Sequence, residues 1–333
     1  MPTSTSTSTP TDLTQPVPVV LFVYKRPQQT KATLEALASN HLASSTDLIV
    51  FSDAARSETD TATVEEVRSL FQDLKGFRSV RLICRETNQG LANSIIQGVT
   101  EIIEVHGKVI VLEDDLITSR NFLDFMNQAL DSHQDKKSVF AVSGYAYPLL
   151  STRTSKFDAA YSHRASSWGW ATWQDRWSLV DWSMSDHSEY LKDPKRIAEF
   201  EKGGGDLPDM LARQMQGLVN SWMIRWVYCQ RKLGLVDVFP TVSKISNIGF
   251  GSEATHTQCG DLRYRTPLDP GERQSFCFAE EPSVPYPVYL ELRWKFSTLR
   301  RILYKLVDLY QLPEQRQQFR QQIRFWLKRR IGR

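Results

Sequence analysis

Val109-Ile110-Val111-Leu112-Glu113-Asp114-Asp115 decides how this chain is read. Four consecutive apolar residues, three of them β-branched, form the run expected of a strand buried on both faces. Three acids then end it abruptly. Outward from this stretch the same alternation repeats. Upstream, Val17 to Tyr24, Asp47 to Ser52 and Val80 to Cys84 read as strands. Between them, Gln28 to Ser39, Thr59 to Leu74 and Leu91 to Val105 have helical spacing, the last with Leu91, Ile95, Val99, Ile102 and Ile103 on one side. Downstream, Asn121 to Leu130 reads as a helix with Ser119 as its N-cap, and Val139 to Ser143 as a fifth strand closed by Gly144. Short apolar strands alternating with helices predict an α/β fold with a mostly parallel sheet covered on both faces. Ligands bind such sheets beyond the carboxyl ends of the strands. Tyr24-Lys25-Arg26, Asp53, Asn88-Gln89-Gly90 and the acidic triplet all follow strand ends, so all four are expected along one edge.

Composition sets the outer limits. The chain has 333 residues, 41% hydrophobic and 24% charged, with a net charge of +3. That balance gives no reason to expect a nucleic-acid partner. The charge is unevenly spread: Leu292 to the end carries 12 Lys/Arg against two acids, leaving the preceding chain near −7. Four scattered cysteines without a C-x-x-C pair read as reduced thiols. There is no apolar run of membrane-spanning length and no signal-peptide pattern at the start. The expected location is cytoplasmic, with contact at the inner face of the membrane as a further option. Residues 1–16, rich in Ser, Thr and Pro, read as a disordered tail. The expected division is 17–145 as a ligand-binding half, 146–281 as a second half and 288–333 as a basic amphipathic helical tail. The second half shows a helical segment from Met210 to Arg231, a strand from Val236 to Phe239 and a polar loop from Ser243 to Cys259.

Adjacent carboxylates after a buried strand suit a hard divalent cation that bridges protein to a nucleotide diphosphate. The alternative is an acidic turn that favours the next helix. Taken together, the first strand, Asp53, the Asn-x-Gly helix start and Val-Leu-Glu-Asp-Asp resemble a GT-A glycosyltransferase, in particular the N-acetylglucosaminyltransferase I family and its bacterial relatives. Three further segments extend the resemblance over about residues 17–258: Ser167-Trp168-Gly169-Trp170-Ala171-Thr172-Trp173, Asn220-Ser221-Trp222-Met223, and Pro240-Thr241-Val242-Ser243-Lys244-Ile245-Ser246. The resemblance implies a Rossmann-like GT-A sheet with a smaller acceptor-side subdomain and a C-terminal helical extension. It also implies transfer of a sugar, N-acetylglucosamine as first choice, from a UDP-sugar to an acceptor hydroxyl with inversion, in polysaccharide or glycan synthesis.

Residue by residue, the resemblance makes Asp115 the direct ligand of Mn²⁺ or Mg²⁺ and brings Asp114 to the ribose or sugar and Glu113 to the donor sugar. Arg26 would hold a phosphate or the uracil side, and Asp53 the uracil or ribose. Asn88, Gly90 and Ser94 complete the expected donor contacts, with Ser94 standing where relatives place a histidine. Trp168 and Trp170 are expected as a sugar-stacking wall, with Trp173 and Trp177 as core. The loop Asn247 to Thr257 is expected as a lid, with His256 on it and Ser243 just ahead of it as further donor contacts. One departure matters. Relatives carry an aspartate where this chain has Asn220, and an amide cannot take a proton as a base. Asp209, or Asp206, is then the expected base; otherwise the segment aligns differently, or the chain is a catalytically weak nucleotide-sugar-binding or scaffold protein. In the tail, Leu299, Ile302, Leu303, Leu306 and Leu309 form one apolar stripe and Phe319, Ile323, Trp326 and Leu327 another. Their basic opposite faces suit an anionic membrane and a lipid-linked or glycan acceptor.

Overall fold

The structure, a computed structural model, describes residues 15–249 and 264–311. His256, most of the expected lid and the second stripe of the tail lie outside those residues. The first half follows the expected alternation: β1 (Val19–Val23), α1 (Pro27–Ala38), β2 (Asp47–Ser52), α2 (Thr61–Ser69), β3 (Ser79–Cys84), α3 (Gly90–His106) and β4 (Lys108–Glu113). After the acidic turn come a short β5 (Leu116–Thr118), α4 (Phe122–His133) and β6 (Val139–Ser143). Asn121, not Ser119, holds the N-cap position of α4; the Ser119 hydroxyl instead donates to Asn121 Oδ1 at 2.8 Å.

The second half is β7 (Ala159–Ser162), β8 (Trp170–Trp173), α5 (Gln174–Trp177), α6 (His187–Tyr190), α7 (Pro194–Glu201), α8 (Leu207–Met215), α9 (Trp222–Lys232), β9 (Val236–Pro240) and β10 (Ile245–Asn247). The expected single helix from Met210 to Arg231 is thus two. Gly217, at φ +69°, breaks it, and Ser221 starts α9 as a capping side chain that accepts from the Ile224 amide. Two C-terminal helices follow, α10 (Tyr286–Lys295) and α11 (Thr298–Gln311).

Eight strands form one sheet in the order β3-β2-β1-β4-β8-β6-β9-β7. The β1–β2, β2–β3, β1–β4 and β6–β9 pairs are parallel, while β8 runs antiparallel to both β4 and β6, and β7 to β9. The mostly parallel α/β sheet flanked by helices is the fold class expected. Its two sequence halves share the sheet, because β8 from the second half inserts between β4 and β6 of the first. Alternate residues of β1 feed opposite cores. Val19, Leu21 and Val23 pack under α1 and α4, whereas Val20 and Phe22 pack under α3 and α9. A third cluster docks α10: Val288, Leu292 and Phe296 are buried with Tyr145, Tyr147 and Phe239.

Trp170 belongs to this packing. It is 2% exposed on β8, with ring centroids of Trp222, Trp226 and Trp177 at 5.0, 5.4 and 5.8 Å. The reading of Trp170 as a sugar-stacking wall is therefore corrected: its ring fixes α9 against the sheet. Trp173 and Trp177 are buried as expected. Trp170→Ala should lower the unfolding free energy by about 3–5 kcal/mol, seen as a lower urea midpoint at unchanged m-value.

Candidate active site

β1 and β4 are neighbours although the sheet continues outward from them in opposite chain directions, so a crevice opens at their carboxyl ends. Both ends are polar for a local reason. Pro27 stops β1 and starts α1, which leaves Tyr24, Lys25 and Arg26 at the rim. β4 ends in Glu113, and Asp114 and Asp115 form the turn into β5. The Arg26 guanidinium spans the gap, pairing with Asp114 through Nη2 and with Asp115 Oδ2 at 3.0 Å through Nη1. Thr33 of α1 secures the turn, donating to the Asp114 carbonyl at 3.0 Å and accepting from the Leu116 amide at 3.1 Å. On its other side β10 pairs with β5, and the Ile248 amide donates to the Asp115 carbonyl at 2.9 Å. Gly249 then passes so close that a Cβ would lie 2.0 Å from Asp115 Oδ2.

Three acids share one guanidinium in this half-buried turn. Burial, then the charges of Asp115 and Asp114, push the Glu113 carboxyl up to about 8. Burial also raises Asp114 to about 6 against the pull of Arg26, and raises Asp115. The turn therefore has an excess of negative charge that a second cation would relieve. Among the described residues no group of three or more His, Cys, Asp or Glu forms a metal cage. The donor set instead fits an ion that takes one or two carboxylates and completes its shell with phosphate oxygens and water.

These groups line a cleft of ≈ 920 Å³ that also reaches Asp53, Asn88, Gly90 and Ser94. Asp53 is 8% exposed and held by three backbone amides: Oδ1 accepts from Ala54 at 3.0 Å and Gln89 at 2.9 Å, and Oδ2 from Gly90 at 2.9 Å. Asn88 donates to the Ala54 carbonyl at 2.7 Å. Both residues thus fasten the end of β2 to the start of α3, where Gly90 takes φ +70°. Ser94, one turn further, is 7% exposed and its Oγ has no hydrogen-bond partner. Trp168 does line the cleft, in an aromatic wall with Tyr145 and Tyr264 at centroid distances of 4.6 and 5.3 Å.

Other expected residues sit elsewhere. Ser243 is fully buried, its hydroxyl bonded to the Ala146 amide and Ile245 carbonyl, so it is a turn lock. Asp209 is exposed on α8 and is not part of the cleft lining. Asp206 is buried and bidentate to Arg164 at 2.8 and 3.0 Å; burial opposes its ionisation, but Arg164 outweighs that and keeps it below its usual value. Neither aspartate lines the cleft. Asn220 does line the cleft, with its Oδ1 accepting from Arg225. Sequence reasoning missed Asp60, which is bonded to Tyr24 at 2.8 Å and Lys25 at 2.7 Å, as well as Tyr145, Tyr264 and Arg213. Only Tyr145, two residues past a strand end, carried a positional signal.

No family model and no curated protein matches the chain. Solved structures do. A mannosyltransferase from Pyrobaculum calidifontis in complex with GDP-mannose and Mn²⁺ is 14% identical with a TM-score of 0.35, over 49% of this chain and 46% of that one. The galactosyltransferase LgtC, in complex with donor and acceptor sugar analogs, is 12% identical with a TM-score of 0.31, over 51% and 63%. The chain spans less than two thirds of either neighbour. Likeness at this level does not carry over chemistry, which has to be argued from this chain's own residues.

Replacing Asp53 with asparagine removes one accepting oxygen and turns an NH₂ toward a backbone amide. Asp53→Asn should cost about 1–3 kcal/mol and speed hydrogen exchange at Gln89 and Gly90. Unchanged protection of those amides would mean that something else holds the start of α3.

Proposed function

We propose that this chain is a metal-dependent GT-A glycosyltransferase that moves a sugar from a nucleotide-sugar donor to an acceptor hydroxyl. One observation carries this reading: Arg26, Asp114 and Asp115 meet at the β1–β4 crevice, in one cleft with Asp53 and an aromatic wall. Asp115, with Asp114 beside it, would hold Mn²⁺ or Mg²⁺. When bound, the ion supplies charge stabilisation to the departing diphosphate. Arg26 opposes the rise that burial imposes on the two aspartates and offers its remaining N–H groups to a phosphate. Asp53, Asn88 and Ser94 frame the nucleoside, for which uridine is the base implied by the resemblance. Trp168 and Tyr145 present ring faces and edges to the sugar. N-acetylglucosamine as the sugar, inversion at its anomeric carbon, and a role in polysaccharide or glycan synthesis remain parts of the proposal that the resemblance alone supplies.

A second reading is favoured by Asn220 and by the placement of Asp209 and Asp206: a protein that binds a nucleotide sugar and transfers it poorly or not at all. Donor turnover separates the two. Binding comes first. In a thermal-shift panel of nucleotides and nucleotide sugars with and without Mn²⁺, UDP and one UDP-sugar should raise Tm in a metal-dependent way. Saturation at 100-fold over Kd corresponds to about 2.7 kcal/mol. Asp115→Asn should abolish the metal-dependent part. A panel with no shift for any nucleotide would rule out both readings.

Contact with a membrane surface is a further part of the proposal. Among the described residues no helix is long and apolar enough to cross a membrane. Trp294, Leu299, Ile302 and Leu303 on α10 and α11 are 41–57% exposed, beside the basic Arg293, Arg300 and Arg301. Apolar residues next to arginines suit the headgroup region of an anionic bilayer. Full-length protein should float with vesicles containing phosphatidylglycerol and remain free with neutral vesicles. The double variant Trp294→Glu, Leu299→Glu should lose that binding while keeping its Tm.

A further inference from the structure

The cleft is electrically divided. Its lining carboxylates, Asp53, Asp60, Glu113, Asp114 and Asp115, all lie after β2 or at and after the end of β4, on the side assigned above to the donor. The part contributed by α8, α9 and their connection has none. It offers Arg213 from α8, Asn220 from the connection and the first turn of α9. Arg213 is exposed, and its side chain makes no hydrogen bond or ion pair among the described residues. Asn220 is oriented by Arg225, whose Nη2 donates to its Oδ1, which turns the oxygen toward Arg225 and leaves both amide N–H groups free to donate in the cleft. Arg225 itself has no carboxylate partner among the described residues; its other contact is the Trp182 carbonyl at 3.5 Å, and its Nε is buried without a partner. Arg164 adds no net charge, since Asp206 neutralises it.

We propose that the acceptor carries an anionic group, a carboxylate or a phosphate, bound by Arg213 and the Asn220 amide. The inference rests on the transferase reading for the division of the cleft into donor and acceptor sides. It gives Asn220 a positive role. An aspartate at this position would neutralise Arg225 and repel an acceptor anion, whereas the amide leaves this wall made of donors and net positive. The first turn of α9, where Trp222 and Met223 reach the cleft, adds a helix N-terminal field of the same sign. A guanidinium binds carboxylates and phosphates through paired N–H donors, and the amide N–H groups add to that set. Two sources share that chemistry: the carboxylate of an acidic sugar, or the phosphate of a phosphorylated or lipid-linked one.

The test uses full-length protein saturated with UDP and Mn²⁺, so that the donor-side phosphate sites are filled. Methyl glucuronide, glucose 6-phosphate and the neutral methyl glucoside are then titrated by calorimetry. At least one anionic probe should bind about tenfold more tightly than the glucoside, the scale of a charge-assisted hydrogen bond. Arg213→Gln should remove that advantage without changing the affinity for UDP, and Asn220→Asp should weaken the anionic probe further. A preference for the glucuronide identifies an acidic sugar, and one for glucose 6-phosphate identifies a phosphorylated acceptor. Equal binding of all three probes by UDP-saturated protein, or an advantage that survives Arg213→Gln, would overturn the inference and leave the transferase reading standing. Failure to bind UDP at all would overturn both.

Discussion

Negative charge at the end of β4 is the constraint around which the rest of the site is arranged. Three adjacent acids sit where burial alone would drive them toward their protonated forms, and the charge of Arg26 offsets that. The guanidinium reaches them because β1 and β4 are adjacent, and the two strands are adjacent because the strand order reverses there. Thr33 from α1 and β10 from the second half hold the turn from two sides. The triplet is thus over-determined in position and under-compensated in charge. That combination suits a site completed by a cation and a diphosphate.

The wall formed by α8 and α9 depends on a different force. Trp170 on β8 packs among Trp177, Trp222 and Trp226, and this aromatic cluster presses α9 onto the sheet. α9 therefore starts at the cleft, with Ser221 as its cap and Asn220 just ahead of it. Packing positions this wall and charge positions the other, so the two respond to different substitutions.

Much of the site was legible from the strand-end rule. Arg26, Asp53, Asn88, Gly90 and the triplet were all placed by it, because a parallel sheet presents the residues following its strands along one edge. The same reasoning failed where no such rule applied. Trp168 and Trp170 are separated by one residue, and composition cannot say which faces the cleft. Gly169, at φ +58°, turns the chain between them, leaving Trp168 at the rim and sending Trp170 into the core. Ser243 looked like a site residue because of its motif, yet its hydroxyl is consumed by backbone groups that only the folded chain brings near. Asp209 is the expected base only if it faces the cleft, and its place on the exposed side of α8 puts it outside the lining.

By itself, the sequence determined the α/β class, the strands of the first half and the acids and arginine at their ends. Local periodicity and the polarity of strand-following turns encode those features, and neither needs a distant partner. Tertiary structure decided the rest. It inserted β8 between β4 and β6, split the tryptophans between core and cleft, neutralised Asp206 with Arg164 and turned Asn220 into a donor through Arg225. The strand insertion and the Arg164 pair depend on residues remote in sequence, and the other two on a turn at Gly169 and on where α9 begins. What a polar side chain can do is set by the partner that reaches it first, and only the folded chain supplies that partner.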